Sequence, residues 1–213
     1  MGMLFPVCLG FRLMAEPVHE WLGLALFVLF GVHLWFNRRW FCDLFRGRYT
    51  LRRALNAFVI LALLGLMLML LAGGLMNAHL LKALELPGSM EHRMRHTLAA
   101  YWGLVCVGLH TGMQWSALSG AIRKAAGRVW RHPAAGAMLR ATGLALAVFG
   151  VWASFDREMG AKLFLGFGFD FWDPERPAAL FYLCVLSIMS LYVWAGRGIA
   201  RLSAIRRRKP PHE

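Results

Sequence analysis

The stretch HEWLGLALFVLFGVHLWF, at positions 19–36, decides the fold because it is long and apolar enough to cross a membrane as a helix. It holds His19 and His33, which are fourteen residues apart. Fourteen helical residues make nearly four turns, so both rings face almost the same way, roughly 21 Å apart along the axis. Ionisable residues in membrane helices usually face the bundle interior and mark function. The stretch therefore predicts a membrane helix with one functional face.

A second apolar stretch repeats this histidine spacing. The block RHTLAAYWGLVCVGLHTGMQW, at 95–115, holds His96 and His110, again fourteen residues apart. No other internal repeat is evident. The two stretches therefore predict two helices that each offer imidazoles at two matching depths.

The composition of the whole chain is that of a membrane protein. Of its 213 residues, 59% are hydrophobic and 16% are charged, whereas a soluble domain has about a quarter charged residues. Four scattered cysteines without C-x-x-C spacing indicate neither a disulfide framework nor a zinc site. The apolar N-terminus lacks a basic region and a cleavage site, so we expect no cleaved signal peptide. We predict an all-α, single-domain membrane bundle over 1–213, with spans at 18–36, 54–77, 96–115, 138–155 and 178–196.

The basic residues lie mostly on one side of these predicted spans. Most of the arginines fall in 37–53, in 116–140 and after 196, while most acidic residues fall in the other connections. The positive-inside rule then predicts an outer N-terminus and a basic cytoplasmic tail from 197. Anionic lipid headgroups account for this pattern, so no nucleic-acid partner is expected from the net charge of +13.

This orientation places the histidines in two level pairs, His19 with His96 and His33 with His110. Each level offers two imidazoles and no carboxylate or thiolate at ligand spacing, which disfavours zinc or copper. Six-coordinate haem iron needs only two axial protein ligands. We therefore predict two bis-histidine haem b groups, and His92, one turn before His96, could replace it as the outer ligand.

Gly103 and the histidines of the predicted membrane helices each have a second interpretation. Gly103 lies seven residues from both His96 and His110, where it would leave room for the facing edges of two macrocycles, but small residues also serve close helix packing. Membrane histidines can also bind neighbouring carbonyls or relay protons. The alternative function is accordingly a haem-free membrane subunit that acts in proton or solute translocation or in complex assembly.

Three blocks resemble the flavinylation-associated cytochromes, a family of small bacterial membrane proteins. They are HEWLGLALFVLFGVHLWFNRRWF at 19–41 with FRGRYT at 45–50, the block at 95–115, and the stretch at 160–196. The resemblance implies a cytochrome b-like architecture in the bacterial inner membrane. It also implies haem ligation by four histidines: His19, His33, His96 and His110.

The same resemblance implies a function in electron transport. Electrons would pass between the quinone pool, or a cytoplasmic donor, and an extracytosolic flavoprotein that carries covalent FMN on the partner rather than on this chain. Whether quinone reacts on the chain itself stays open at this stage. The chain departs from the family in having Thr111 and Gln114 in a stretch that often holds a further histidine.

Overall fold

The computed structural model of the chain describes residues 2–78, 90–127, 133–164 and 172–205. Across these ranges the regular secondary structure is helical, without strands, which confirms the predicted all-α class. The helices are α1 (Leu4–Cys8), α2 (Glu16–Phe36), α3 (Arg38–Cys42), α4 (Leu51–Asn77), α5 (Met90–Met113), α6 (Trp115–Ala126), α7 (Pro133–Asp156), α8 (Met159–Leu163) and α9 (Ala178–Ile205). A single 3-10 turn, Phe11–Leu13, connects α1 to the start of α2.

Four of the long helices, α2, α4, α7 and α9, are long and apolar enough to cross a membrane. With four such helices, the chain is a multi-pass membrane protein. Helix α5 is not among these four, because even its most apolar stretch, from His96 to Met113, holds two histidines that lower its mean hydropathy. A fifth crossing therefore stays a prediction, as does the orientation of the termini.

Helix α5 lies at the centre of the bundle, between α4 and α9, and α7 packs on α9. Most of its middle, from Ala99 to Gly108, is buried. Because protein rather than lipid covers both flanks, α5 needs less apolar surface than an outer helix. Helix α2 is peripheral by comparison, with Leu26 and Phe30 as its buried side chains.

Glycines allow α5 and α9 to approach at backbone distance. A Cβ at Gly112 would collide with the carbonyl oxygen of Val193 and lie 2.9 Å from the backbone nitrogen of Arg197. Gly196 faces the Leu109 carbonyl in the same way. Within a bilayer the hydrophobic effect does not drive helices together, so close packing stabilises their association instead. Small residues at such crossings allow this close backbone contact.

We expect Gly112→Ala to lower the free energy of unfolding by about 1–3 kcal/mol, since overpacking against the backbone forces the two helices apart. The measurement is unfolding in mixed micelles. Gly65→Ala on α4 is the matched control, because nothing lies within 4 Å of a Cβ at that position. Equal effects of the two changes would contradict the close crossing.

The helix ends differ from the predicted spans, most of all at α9. Residues 197–205 were predicted as the start of a cytoplasmic tail, but α9 continues to Ile205 and Arg197 is only 8% exposed. Aromatic side chains cover the charge of this arginine, so the charge does not end the helix. The short helices α1, α3 and α8 were not predicted, since five residues are too few to show an apolar period. Helix α6 was not predicted because its residues were assigned to the basic connection 116–140.

Candidate functional site

The structure brings His19 and His96 together. Their ring centroids are 6.2 Å apart and their planes are inclined by 74°. His19 lies in the first turns of α2 and His96 in the second turn of α5. The predicted spatial pairing at this level is thus confirmed, and it joins a peripheral helix to the central one.

Helix α4 fixes the ring of His96 from behind. The Nδ1 atom of His96 lies 3.1 Å from the carbonyl oxygen of Leu70. Because a carbonyl only accepts, Nδ1 must carry the proton and donate it, which leaves the lone pair on Nε2. Metal-bound histidines commonly make this second hydrogen bond, which sets the tautomer and the ring orientation.

Two glycines of α4 form the wall beside this ring. A Cβ at Gly73 would lie 3.1 Å from the Cβ of His96 and 3.3 Å from its Nδ1, whereas a Cβ at Gly74 would lie 3.6 Å from its Cε1. Nothing in the sequence marks Leu70 as a partner of His96. The signal for the two glycines was a Gly-Gly pair inside an otherwise apolar span.

His19 is enclosed by the N-terminal segment. Its ring meets that of Phe11 edge to face, with centroids 5.1 Å apart. Its Nδ1 is buried, and among the described residues it has no hydrogen-bond partner. A buried polar atom without a partner costs about 1–3 kcal/mol, but the ring also interacts with the backbone of Cys8, so this contact and packing together hold His19 in place.

The inner pair is assembled less completely. His110 and His33 are near enough to interact electrostatically, and their pairing around one cofactor stays a prediction. Nδ1 of His110 is buried without a partner in the part of the chain that the structure describes. The His33 side chain is exposed on α2. The ring contact found in the outer pair has no counterpart here.

Phe5 of α1 lies between the two histidine levels. A Cβ at Gly103 would be 2.6 Å from Cζ of Phe5, whose side chain is 3% exposed. The room that Gly103 provides therefore accommodates an aromatic ring in this structure, and its use as clearance for macrocycles stays a prediction. Phe5 could not be predicted from the sequence, because the first residues show no helical period.

His92 of α5 and Gln114, which directly follows α5, lie near the predicted site. The ring that faces His19 is that of His96 and not that of His92, whose half-buried side chain makes other contacts. Gln114 donates from Nε2 to Oδ1 of Asn56 at 3.1 Å and so ties α5 to α4. Gln114 thus has a structural function here.

The outer pair fits a metal with two axial imidazoles. Bonds of about 2 Å from a metal to each imidazole nitrogen place the ring centroids about 6 Å apart, and the observed separation is 6.2 Å. Within the described ranges, no three histidine, cysteine or acidic side chains are grouped as ligands for a metal ion. A group that brings its own equatorial ligands, such as haem, needs only the two.

Comparisons of this chain with known protein families, with curated proteins and with solved structures return no match.

Proposed function

We propose that this chain is a di-haem b-type cytochrome that transfers electrons across the membrane. The observation that supports it best is the outer pair: two imidazoles from different helices face each other at 6.2 Å, and one is oriented by a backbone carbonyl. His19 and His96 would hold the outer haem, and His33 and His110 the inner one. The proposal includes five crossings, a cytochrome b-like arrangement and an outer N-terminus.

Haem supplies reversible one-electron chemistry at its iron. The chain contributes the axial ligands and their surroundings. The Leu70 carbonyl holds the proton on Nδ1 of His96 and so increases the electron donation of Nε2. A haem held by two histidines would have no open coordination position, which would favour electron transfer over oxygen chemistry.

Apolar packing around the pairs limits the access of water. Leu26 and Phe30 of α2, together with Met67 of α4, belong to one buried cluster with Leu70. A low dielectric disfavours the more highly charged state of a redox centre, so this packing would contribute to its potential. Because the side chains of this cluster are apolar, the histidines are the polar groups near it that could hold a cofactor.

The partners in this proposal are supported by the resemblance and by the arginine asymmetry alone. Electrons would pass between the quinone pool, or a cytoplasmic-side donor, and an extracytosolic flavoprotein that carries FMN. A location in the bacterial inner membrane suits both the electron donor and the electron acceptor. In this proposal, quinone that reacts on the chain itself is one of the routes by which electrons could enter.

The test is the visible spectrum of the purified protein, produced with ample haem supply. We expect sharp b-type bands on reduction with dithionite and two haems per chain by pyridine haemochrome assay. A colourless protein would refute the proposal and favour the haem-free translocation or assembly subunit.

The two glycines of α4 offer a graded test of the outer site. We expect Gly73→Ala to weaken haem retention about tenfold, because its methyl group would press on His96, at 3.1 Å from the Cβ and 3.3 Å from the ring atom Nδ1. Gly74→Ala is the matched control, since its methyl group would make an ordinary contact at 3.6 Å. Haem transfer to an apoprotein acceptor measures retention, and equal transfer rates would contradict the geometry.

A further inference from the structure

Arg197 of α9 is a buried cation outside the histidine site. Its side chain is 8% exposed, and its guanidinium lies 4.8 Å from the Trp115 ring centroid and 4.6 Å from that of Trp194. The described residues give this guanidinium no hydrogen-bond acceptor and no ion-pair partner. Contacts with two rings offset the cost of burial only in part, at about 0.5–2 kcal/mol each. Its N–H donors therefore remain available to an anion.

Further positive charge surrounds Arg197. Arg140 of α7 and Arg201 of α9 both act on it electrostatically, and both are exposed. On this arginine-rich end of the bundle, Asp43 is the one acidic residue within the described ranges. Three like charges that lie close together repel one another, so an anion bound among them would be strongly favoured.

The surroundings of these arginines match the depth of lipid headgroups. Tryptophan is enriched at membrane interfaces, where its ring lies at headgroup level. Next to the arginines, α7 and α9 expose apolar side chains, with Met138 at 68% and Leu202 at 67%. A ligand with a phosphate and acyl chains would meet both kinds of surface.

We propose that this cluster binds the phosphate of an anionic glycerophospholipid, in the leaflet next to the arginine-rich face. The cluster consists of Trp115, Arg140, Trp194, Arg197 and Arg201. Arg197 contacts the phosphate, Arg140 and Arg201 neutralise it from the rim, and the exposed apolar side chains contact the acyl chains. Basic pockets between membrane helices on one face are known to bind such headgroups. This proposal is independent of the haem assignment.

The test is native mass spectrometry of the full chain released from nanodiscs that contain phosphatidylglycerol and phosphatidylcholine. We expect retained phosphatidylglycerol on the wild-type chain. Arg197→Gln should weaken this binding about tenfold to a hundredfold, as loss of a hydrogen bond to a charged group does. Arg201→Gln, which removes an exposed charge and does not threaten folding, should weaken it about fivefold.

Arg123→Gln is the matched control, because it removes an exposed charge from α6 on the same face. Its lipid binding should equal that of the wild type. Unchanged binding in both cluster variants would overturn the proposal, and so would equal retention of phosphatidylcholine. Displacement of the lipid by inorganic phosphate at equal concentration would assign the site to free phosphate instead.

Discussion

His96→Ala is expected to remove the outer haem and to leave the inner one, so the stoichiometry falls from two haems per chain to one. His96 is the better-oriented ligand of the outer pair, since Leu70 fixes its ring and His19 faces it at 6.2 Å. Alanine leaves iron with one imidazole, and no other ring of the described residues contacts His19 from α5. The measurement is the pyridine haemochrome assay per mole of folded protein.

His92→Ala is the control for this experiment. His92 lies one turn from His96, but its ring does not pair with His19, so the control should keep both haems. If His96→Ala kept both haems and His92→Ala lost one, the outer ligand would be His92. If both variants kept two haems, the outer site would be elsewhere.

The level pairing of the histidines could be predicted because two independent signals agree. Helical periodicity gives the spacing within each pair, and the arginine distribution gives the direction of each helix. Together they place His19 at the same depth as His96 without any knowledge of tertiary structure. The structure shows this pair in contact.

The support behind His96 could not be predicted. Its partner is the backbone carbonyl of Leu70, and every residue has a carbonyl, so no letter in the sequence marks it. Phe5 is similar, because its contact with Gly103 depends on how the N-terminal segment folds back into the bundle. Both features depend on tertiary packing rather than on a local pattern.

The span prediction treats each helix as if lipid surrounded it. For α2 and α4 this holds well, and their predicted bounds lie within a few residues of the observed ones. Helix α5 is covered by α4 and α9 instead, so its hydropathy underestimates how deeply it is buried. Arg197 shows the opposite error: a charge taken as the end of a span is buried between two tryptophans.

His110→Ala is expected to remove the inner haem and to leave the outer one. His110 has a buried Nδ1 without a partner among the described residues, so alanine relieves an unsatisfied group in the apoprotein while it deletes a ligand. The protein should therefore fold at least as well and bind one haem fewer. Haem stoichiometry measures the loss, and unfolding of the haem-free protein measures the stability.

His33→Ala is the companion variant, and it should lose the same haem without a gain in stability, because the His33 side chain is exposed. Wild-type protein titrated with haem should fill the outer site first, since the rings of that pair already have the separation that one metal requires, whereas the His33 side chain is exposed. Two haems bound by both variants would refute the inner site and leave a single-haem protein with His19 and His96 as its ligands.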